Sequence, residues 1–275
     1  MLYWHTEVKM YGDKLKLLKQ NQNTIIQYYQ SGQTIKSLGK DFEVSEMTMR
    51  KFLISNDIKT RSNPFERKFD EQFFHKQSNE LAYFMGFCFA DGSITAQDDH
   101  RSTLEISVHT KDKCVLQKFC QWTNYNEDYI TKRSGKEMLR LCYNSKLFKQ
   151  DFSSWGLVNN KTYEPCIPSI LPEYIKPFLI GYIDGDGSIK FSKEQNQFNI
   201  VGNRILIDWF CDTIKNLGFD QQFKFEDIEG KVWKRARIYT KEDILSMIKC
   251  LEPQQYQKLF LPRKWDTAIT LLSKN

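Results

Sequence analysis

Phe178-Leu-Ile-Gly-Tyr-Ile-Asp-Gly-Asp-Gly-Ser-Ile189 sets Gly181 and Gly185 four residues apart, so a helix through this stretch carries both on one face. A face without side chains admits a second helix at backbone distance. Asp184 and Asp186 crowd the end of that helix, and Gly187 supplies the conformational freedom that stops it. Carboxylates at a helix C-terminus meet the negative pole of the macrodipole, so a cation is expected beside them.

The stretch has a counterpart upstream. Leu81-Ala-Tyr-Phe-Met-Gly-Phe-Cys-Phe-Ala-Asp-Gly-Ser-Ile94 carries Gly86 and Ala90 four apart and ends Asp91-Gly92-Ser93-Ile94, matching Asp186-Gly187-Ser188-Ile189 at an offset of 95 residues. Gly86, Ala90, Gly181 and Gly185 are therefore the residues expected to pack two motif helices together. The text downstream of each copy also repeats. After Gly92 the pattern turns to period two: Leu104, Ile106 and Val108 face inward, and Thr103, Glu105, Ser107 and His109 face out. A helix from Lys111 to about Thr123, strands near 127–133 and 137–143, and a helix from Lys146 to Trp155 follow. The second half gives a hairpin (187–193, 198–201), a helix from about Asn203 to Leu217, strands near 221–227 and 231–239, and a helix from Lys241 to Leu251. Each half reads helix, hairpin, helix, hairpin, helix, with one sheet face polar and basic. In the 231–239 strand Lys234 interrupts the apolar face, which predicts either a sheet edge or a strand that departs from this alternation.

Before this duplicated part, residues 23–60 read as three short helices. Ser31-Gly32 closes the first, Thr34 to Lys40 makes the second, and Ser45 caps the third through Met49, Phe52 and Leu53. The pattern resembles the helix-turn-helix of resolvase-like DNA-binding modules, which implies a recognition helix starting at Ser45 with Thr48, Arg50 and Lys51 toward DNA. The expected organisation is a helix-turn-helix domain over 1–62, a polar linker over 63–77, a first unit over 78–160 and a second over 161–275. The last segment holds Leu261-Pro-Arg-Lys-Trp265 and an amphipathic tail, for which packing alone is expected.

Bulk properties set limits. A chain of 275 residues with 20 Phe, 13 Tyr and 6 Trp has the composition of a folded protein. A formal net charge of +6 permits a nucleic-acid partner without requiring one. No apolar run is long enough to span a membrane, and the N-terminus lacks a signal-peptide pattern, so an intracellular, cytoplasmic location is expected. Seven scattered cysteines with no Cys-x-x-Cys and only four histidines argue for reduced thiols rather than zinc or disulfides.

Gly86-Phe-Cys-Phe-Ala-Asp-Gly92 and Gly181-Tyr-Ile-Asp-Gly-Asp-Gly187 resemble the two motifs of a single-chain LAGLIDADG homing endonuclease, and the likeness extends over roughly residues 78–260. The resemblance implies an α+β fold of two pseudo-symmetric αββαββα units packed through their motif helices, forming a saddle over double-stranded DNA. It implies a monomer that cuts DNA at a long site. The last acid of each motif, here Asp91 and Asp186, would bind Mg²⁺ or Mn²⁺ near the scissile phosphates. Basic residues near the centre are also implied, with Lys146 and Lys241 at matching helix starts as candidates. Outward strand positions would contact DNA: Ser93, Thr95, Gln97, Lys132 and Arg140 in the first half, and Lys190, Ser192, Arg235 and Arg237 in the second. The chain departs from the pattern at Phe89, which stands where the second copy has Asp184, and this puts Asp184 outside the expected metal ligands. Two other activities on the same scaffold stay open: an intron RNA maturase and a non-cleaving DNA-binding regulator.

Overall fold

The structure is a computed structural model describing residues 14–60, 69–98, 101–133, 135–145, 152–158, 167–228 and 232–274. The chain divides into two compact units, Met1–Glu66 and Arg67–Asn275.

In the smaller unit residues 14–20 are helical, followed by α1 (Gln22–Gln30), α2 (Ile35–Asp41) and α3 (Glu46–Ser55). Thr34 and Ser45 cap the second and third of these, their hydroxyls accepting from the Ser37 and Thr48 amides at 3.1 Å each. Leu18, Ile25, Tyr29, Leu38, Met49, Phe52 and Leu53 form its core.

The larger unit holds the duplication. Its first half runs α4 (Asn79–Asp91), β1 (Gly92–Asp98), β2 (Arg101–His109), α5 (Lys113–Trp122), β3 (Thr131–Lys132) and β4 (Met138–Ser145), and residues 152–154 are helical. The second half runs α6 (Ile175–Asp186), β5 (Gly187–Lys190), β6 (Gln197–Asn203), α7 (Arg204–Asn216), β7 (Lys224–Ile228), β8 (Trp233–Ile238) and α8 (Lys241–Leu251), and ends in α9 (Pro262–Leu272). Both sheets are antiparallel with the same order, β1-β2-β4-β3 and β5-β6-β8-β7. Gly92 pairs with Ile106, and Gly187 with Ile200, so the two hairpins start in the same register. The expected α+β fold with two pseudo-symmetric units is present. Leu104, Ile106 and Val108 are buried as the alternation predicts, on one face of β2.

Two expectations need correction. β8 is not an edge strand: it lies between β6 and β7. Lys234 is tolerated there because Asp208 pairs with its ammonium, which also lies 3.9 Å from the centre of the Phe225 ring. The stretch 63–77 is not all linker either. Asp70 caps a short 3-10 turn over Glu71–Phe74, and Phe69, Phe73 and Phe74 pack edge-on against Phe84, Tyr125 and Tyr143 in the core of the larger unit. Polar composition hid three aromatic anchors. Among the described residues no helix is long and apolar enough to cross a membrane.

Candidate functional site at the motif-helix ends

α4 and α6 meet along their glycine faces. A Cβ at Gly86 would lie 2.0 Å from the Phe178 carbonyl oxygen, and one at Gly181 would lie 2.1 Å from that of Tyr83. One at Gly185 would fall 2.1 Å from the Ala90 Cβ. Residue numbers rise together along both helices at these contacts, so the helices run parallel and end side by side. Asp91 and Asp186, the last residues of α4 and α6, are thereby delivered to one end of the seam; Asp91 is exposed and Asp186 half-exposed. Each is followed by a glycine that turns the chain directly into the first strand of a sheet.

Asp184 is a different kind of residue. It is 2 % exposed and accepts from the Tyr83 hydroxyl, the Leu261 amide and the Trp265 indole Nε1, each at 2.7 Å. Burial is the chief cause of its raised pKa, and the neighbouring Lys264 charge and these three donors oppose the shift. The Leu261 amide opens α9, so the carboxylate that sits badly at its own helix's C-terminus sits well at another helix's N-terminus. The expected cation is also there. The Lys264 ammonium donates to the backbone oxygens of Ile183 (3.1 Å), Asp184 (2.5 Å) and Gly187 (2.7 Å), the carbonyls that end α6. Burial pushes the Lys264 pKa down, while the charges of Asp184 and Asp91 pull it back up. Arg263 holds the same segment from the other side with two bonds to Asp112, at 2.5 and 2.7 Å.

The tail therefore does more than pack. It plugs the motif helices from below and places a lysine in the field of both halves' acids. Lys146 and Lys241, the candidates that the resemblance implies for basic residues near the scissile phosphates, concern a separate role. Lys146 lies outside the described residues, and Lys241 is the half-buried first residue of α8. It is Lys264 whose ammonium is bonded into the end of α6. Pro262 at the first helical position and the basic-aromatic pair behind it were visible, but nothing in a single sequence tells a buried lysine from a surface one. Lys264→Met leaves three carbonyls and a buried carboxylate without their cation. It is expected to cost about 3–5 kcal/mol, read as a lower urea midpoint with an unchanged slope. A loss below about 1 kcal/mol would mean that the ammonium is only a surface contact.

Beside Asp186 a cavity of about 70 Å³ is lined by Phe89, Tyr182, Asn203 and Trp233, among others. The buried Tyr182 hydroxyl has no hydrogen-bond partner among the described residues, and its pKa is raised by burial first and by Asp186 second. The space is large enough for one or two waters.

Ser93, Thr95 and Arg140 fall on the outward face of the first sheet and Lys190, Arg235 and Arg237 on that of the second. Lys132, expected there too, pairs with Leu139, which stands opposite the buried Val108, and so lies on the other face. Ser93, Thr95 and Lys132 are exposed and Arg140 is half-buried; the Gln97 side chain lies outside the described residues. Lys190 is exposed, whereas the Ser192 hydroxyl is engaged with the Gln195 backbone at 2.9 and 3.0 Å and so shapes the hairpin turn. Arg235 and Arg237 are both tied to Glu226 at 2.8 Å. In the smaller unit Lys51 is exposed and Arg50 reaches Thr60 at 3.4 Å. The Thr48 hydroxyl lies 2.9 Å from that of Ser45 and belongs to the cap.

No family model matches the chain. An uncharacterized protein of Methanocaldococcus jannaschii is 26% identical over 184 residues, which are 62% of this chain and 68% of that protein. Among solved structures, the LAGLIDADG homing endonuclease I-SmaMI bound to cleaved DNA is similar at 16% identity and a TM-score of 0.47, over 73% of this chain and 91% of its own. The homing endonuclease I-GzeII in complex with its DNA target is similar at 14% identity and a TM-score of 0.47, over 72% of this chain and 92% of its own. I-LtrWI, a third LAGLIDADG homing endonuclease bound to target DNA, gives 12% identity and a TM-score of 0.42 over 74% and 98%.

Proposed function

We propose that the chain is a site-specific, divalent-metal-dependent double-strand DNA endonuclease, a LAGLIDADG homing endonuclease carrying an N-terminal helix-turn-helix. One observation carries this reading. Two parallel helices, packed at backbone distance, put one carboxylate each at the same end, and each carboxylate is joined through a single glycine to a sheet with a polar outer face.

The donor set fits a hard cation held between protein and phosphate. Asp91 and Asp186 offer oxygen, and no group of three or more His, Cys, Asp or Glu fit to hold a metal occurs among the described residues. The remaining positions are left to water and phosphate, as suits Mg²⁺ or Mn²⁺. Such an ion, when bound, activates water and stabilises the leaving oxygen of a phosphodiester. The chain's own residues do the rest. The glycine seam fixes the separation of the two acids, and Lys264 and Asp184 lock the end of α6 from which Asp186 projects. The two sheets hold the duplex on either side, Arg and Gln side chains reading base edges and Lys holding phosphates. One chain supplies both halves, so a monomer suffices. The smaller unit, through Arg50 and Lys51, adds DNA contacts of its own. Retention of both last acids favours cleavage over a purely regulatory DNA-binding role.

Selection of cut duplexes from a random DNA library with Mg²⁺ tests the proposal. The expected result is a shared long site cut in both strands, with part of its flanking preference lost when residues 1–66 are removed. Recovery of no cut duplex by the folded full chain would overturn the nuclease reading.

A further inference from the structure

We propose that Glu226 is a specificity-determining residue: it holds Arg235 and Arg237 as one preset pair over the second sheet, and Glu105 does the same for Arg133 and Arg140 over the first. The inference rests on the DNA-binding reading above and names the device by which the sheets tell one sequence from another.

The register makes the arrangement. Glu226 on β7 pairs directly with Arg235 on β8, and Arg237 lies two residues further along the same face, opposite Lys224 on one side and Asn199 on the other. One carboxylate oxygen of Glu226 lies 2.8 Å from a terminal nitrogen of each arginine. The other terminal nitrogen of Arg237 donates to the Tyr239 hydroxyl at 3.1 Å. Around this centre hydrogen-bonding capacity is left over. The buried Nε atoms of Arg235 and Arg237 and the Oδ1 of Asn199 have no partner among the described residues. Buried polar atoms are normally satisfied, so a cluster of unmet ones on the outward face marks a place where another polar surface arrives.

The charge arithmetic points to discrimination rather than grip. A free surface arginine binds any phosphate and releases a counterion for it. A carboxylate shared by two arginines subtracts charge from the patch, repels a misplaced phosphate and removes side-chain freedom before DNA arrives. A base edge with acceptors in the right place competes for the held donors; a phosphate in a general position does not. The device occurs twice from different positions. In the first sheet Glu105 pairs with Arg133 and lies 3.5 Å from Arg140, and it comes from β2, where the register of the second sheet has Asn199. The duplication did not carry the acid across; each sheet has its own.

The test is Glu226→Gln in the full chain, with Glu105→Gln as an independent second variant. Binding is followed by fluorescence anisotropy without divalent metal. The probes are a labelled duplex enriched from a random library by binding to the wild-type chain, and a random-sequence duplex of equal length. For each variant the random duplex is expected to bind more tightly, with the slope of log K against log salt steeper by about 1–2, and the preference for the enriched duplex to fall about tenfold. Lys224→Gln, which removes a charge that Glu226 does not hold, should instead weaken binding to both duplexes alike. A wild-type chain that discriminates, with both Gln variants unchanged in slope and preference, overturns this inference and leaves the nuclease reading intact. A wild-type chain that enriches no duplex overturns both.

Discussion

Asp186→Asn is expected to leave DNA binding intact and reduce double-strand cleavage by at least about 10³-fold, a loss of roughly 4 kcal/mol in transition-state stabilisation. The substitution keeps the shape of the side chain and removes the charge that the proposed metal-binding role requires. Asp186 is half-exposed at the end of α6, so the change carries little folding cost, unlike a change at the buried Asp184. Losing a carboxylate beside the phosphates should, if anything, tighten binding at low salt. Asp91→Asn is expected to behave in the same way, because the glycine seam gives the two residues equivalent places. Single-turnover cleavage with Mg²⁺ and anisotropy without it separate the two effects. Equal losses of binding and cleavage in both variants would show that the acids are structural, and would return the chain to the class of DNA-binding proteins without chemistry.

The duplicated device was legible because its chemistry is local. Small residues four apart, an acid, a glycine and a switch to period two can all be read without knowing what lies elsewhere in the chain. The departure at Phe89 was legible too, and the structure gives its reason. Phe89 packs edge-on against Phe178 at 5.3 Å, whereas Asp184 is surrounded by donors from Tyr83 and from a tail some eighty residues downstream. An acid at that position serves only where a helix N-terminus and a lysine are brought to it. The partners themselves were not legible, because they are long-range. Nothing near Lys264 marks it as buried, and nothing near Lys234 shows that Asp208 and the Phe225 ring make an interior strand affordable to a charge. The same limit applies to Thr48: its position fits a recognition helix, but its hydroxyl is turned to the Ser45 cap.

Gly181→Ala is expected to be among the most damaging single-methyl additions available to the fold. The new Cβ would lie 2.1 Å from the Tyr83 carbonyl oxygen and 3.0 Å from the Phe87 amide nitrogen, both backbone atoms of a helix buried on every side. A flexible side chain could swing away; a helix backbone cannot without moving the whole seam. Overpacking in a well-packed core typically costs about 1–3 kcal/mol, and obstruction by backbone puts this case at or above about 3, a large share of an ordinary domain's stability. Gly185→Ala makes an informative contrast. Its obstacle is the Ala90 Cβ at 2.1 Å, with the nearest backbone atoms at an ordinary 3.5 Å. Adding Ala90→Gly to Gly185→Ala moves one methyl from α4 to α6 and should recover most of the loss, because the roughly 1 kcal/mol helix cost of the new glycine is offset by the glycine removed. No side-chain deletion can rescue Gly181→Ala in that way. Urea midpoints of the three variants measure the pattern. Cleavage adds a second reading, since any Gly181→Ala protein that still folds must hold its motif helices further apart. Asp91 and Asp186 then no longer share one end of the seam, and cutting should fall further than binding. Near-normal stability for Gly181→Ala, or failure of the Ala90→Gly rescue, would show that the two helices do not approach as closely as the seam requires.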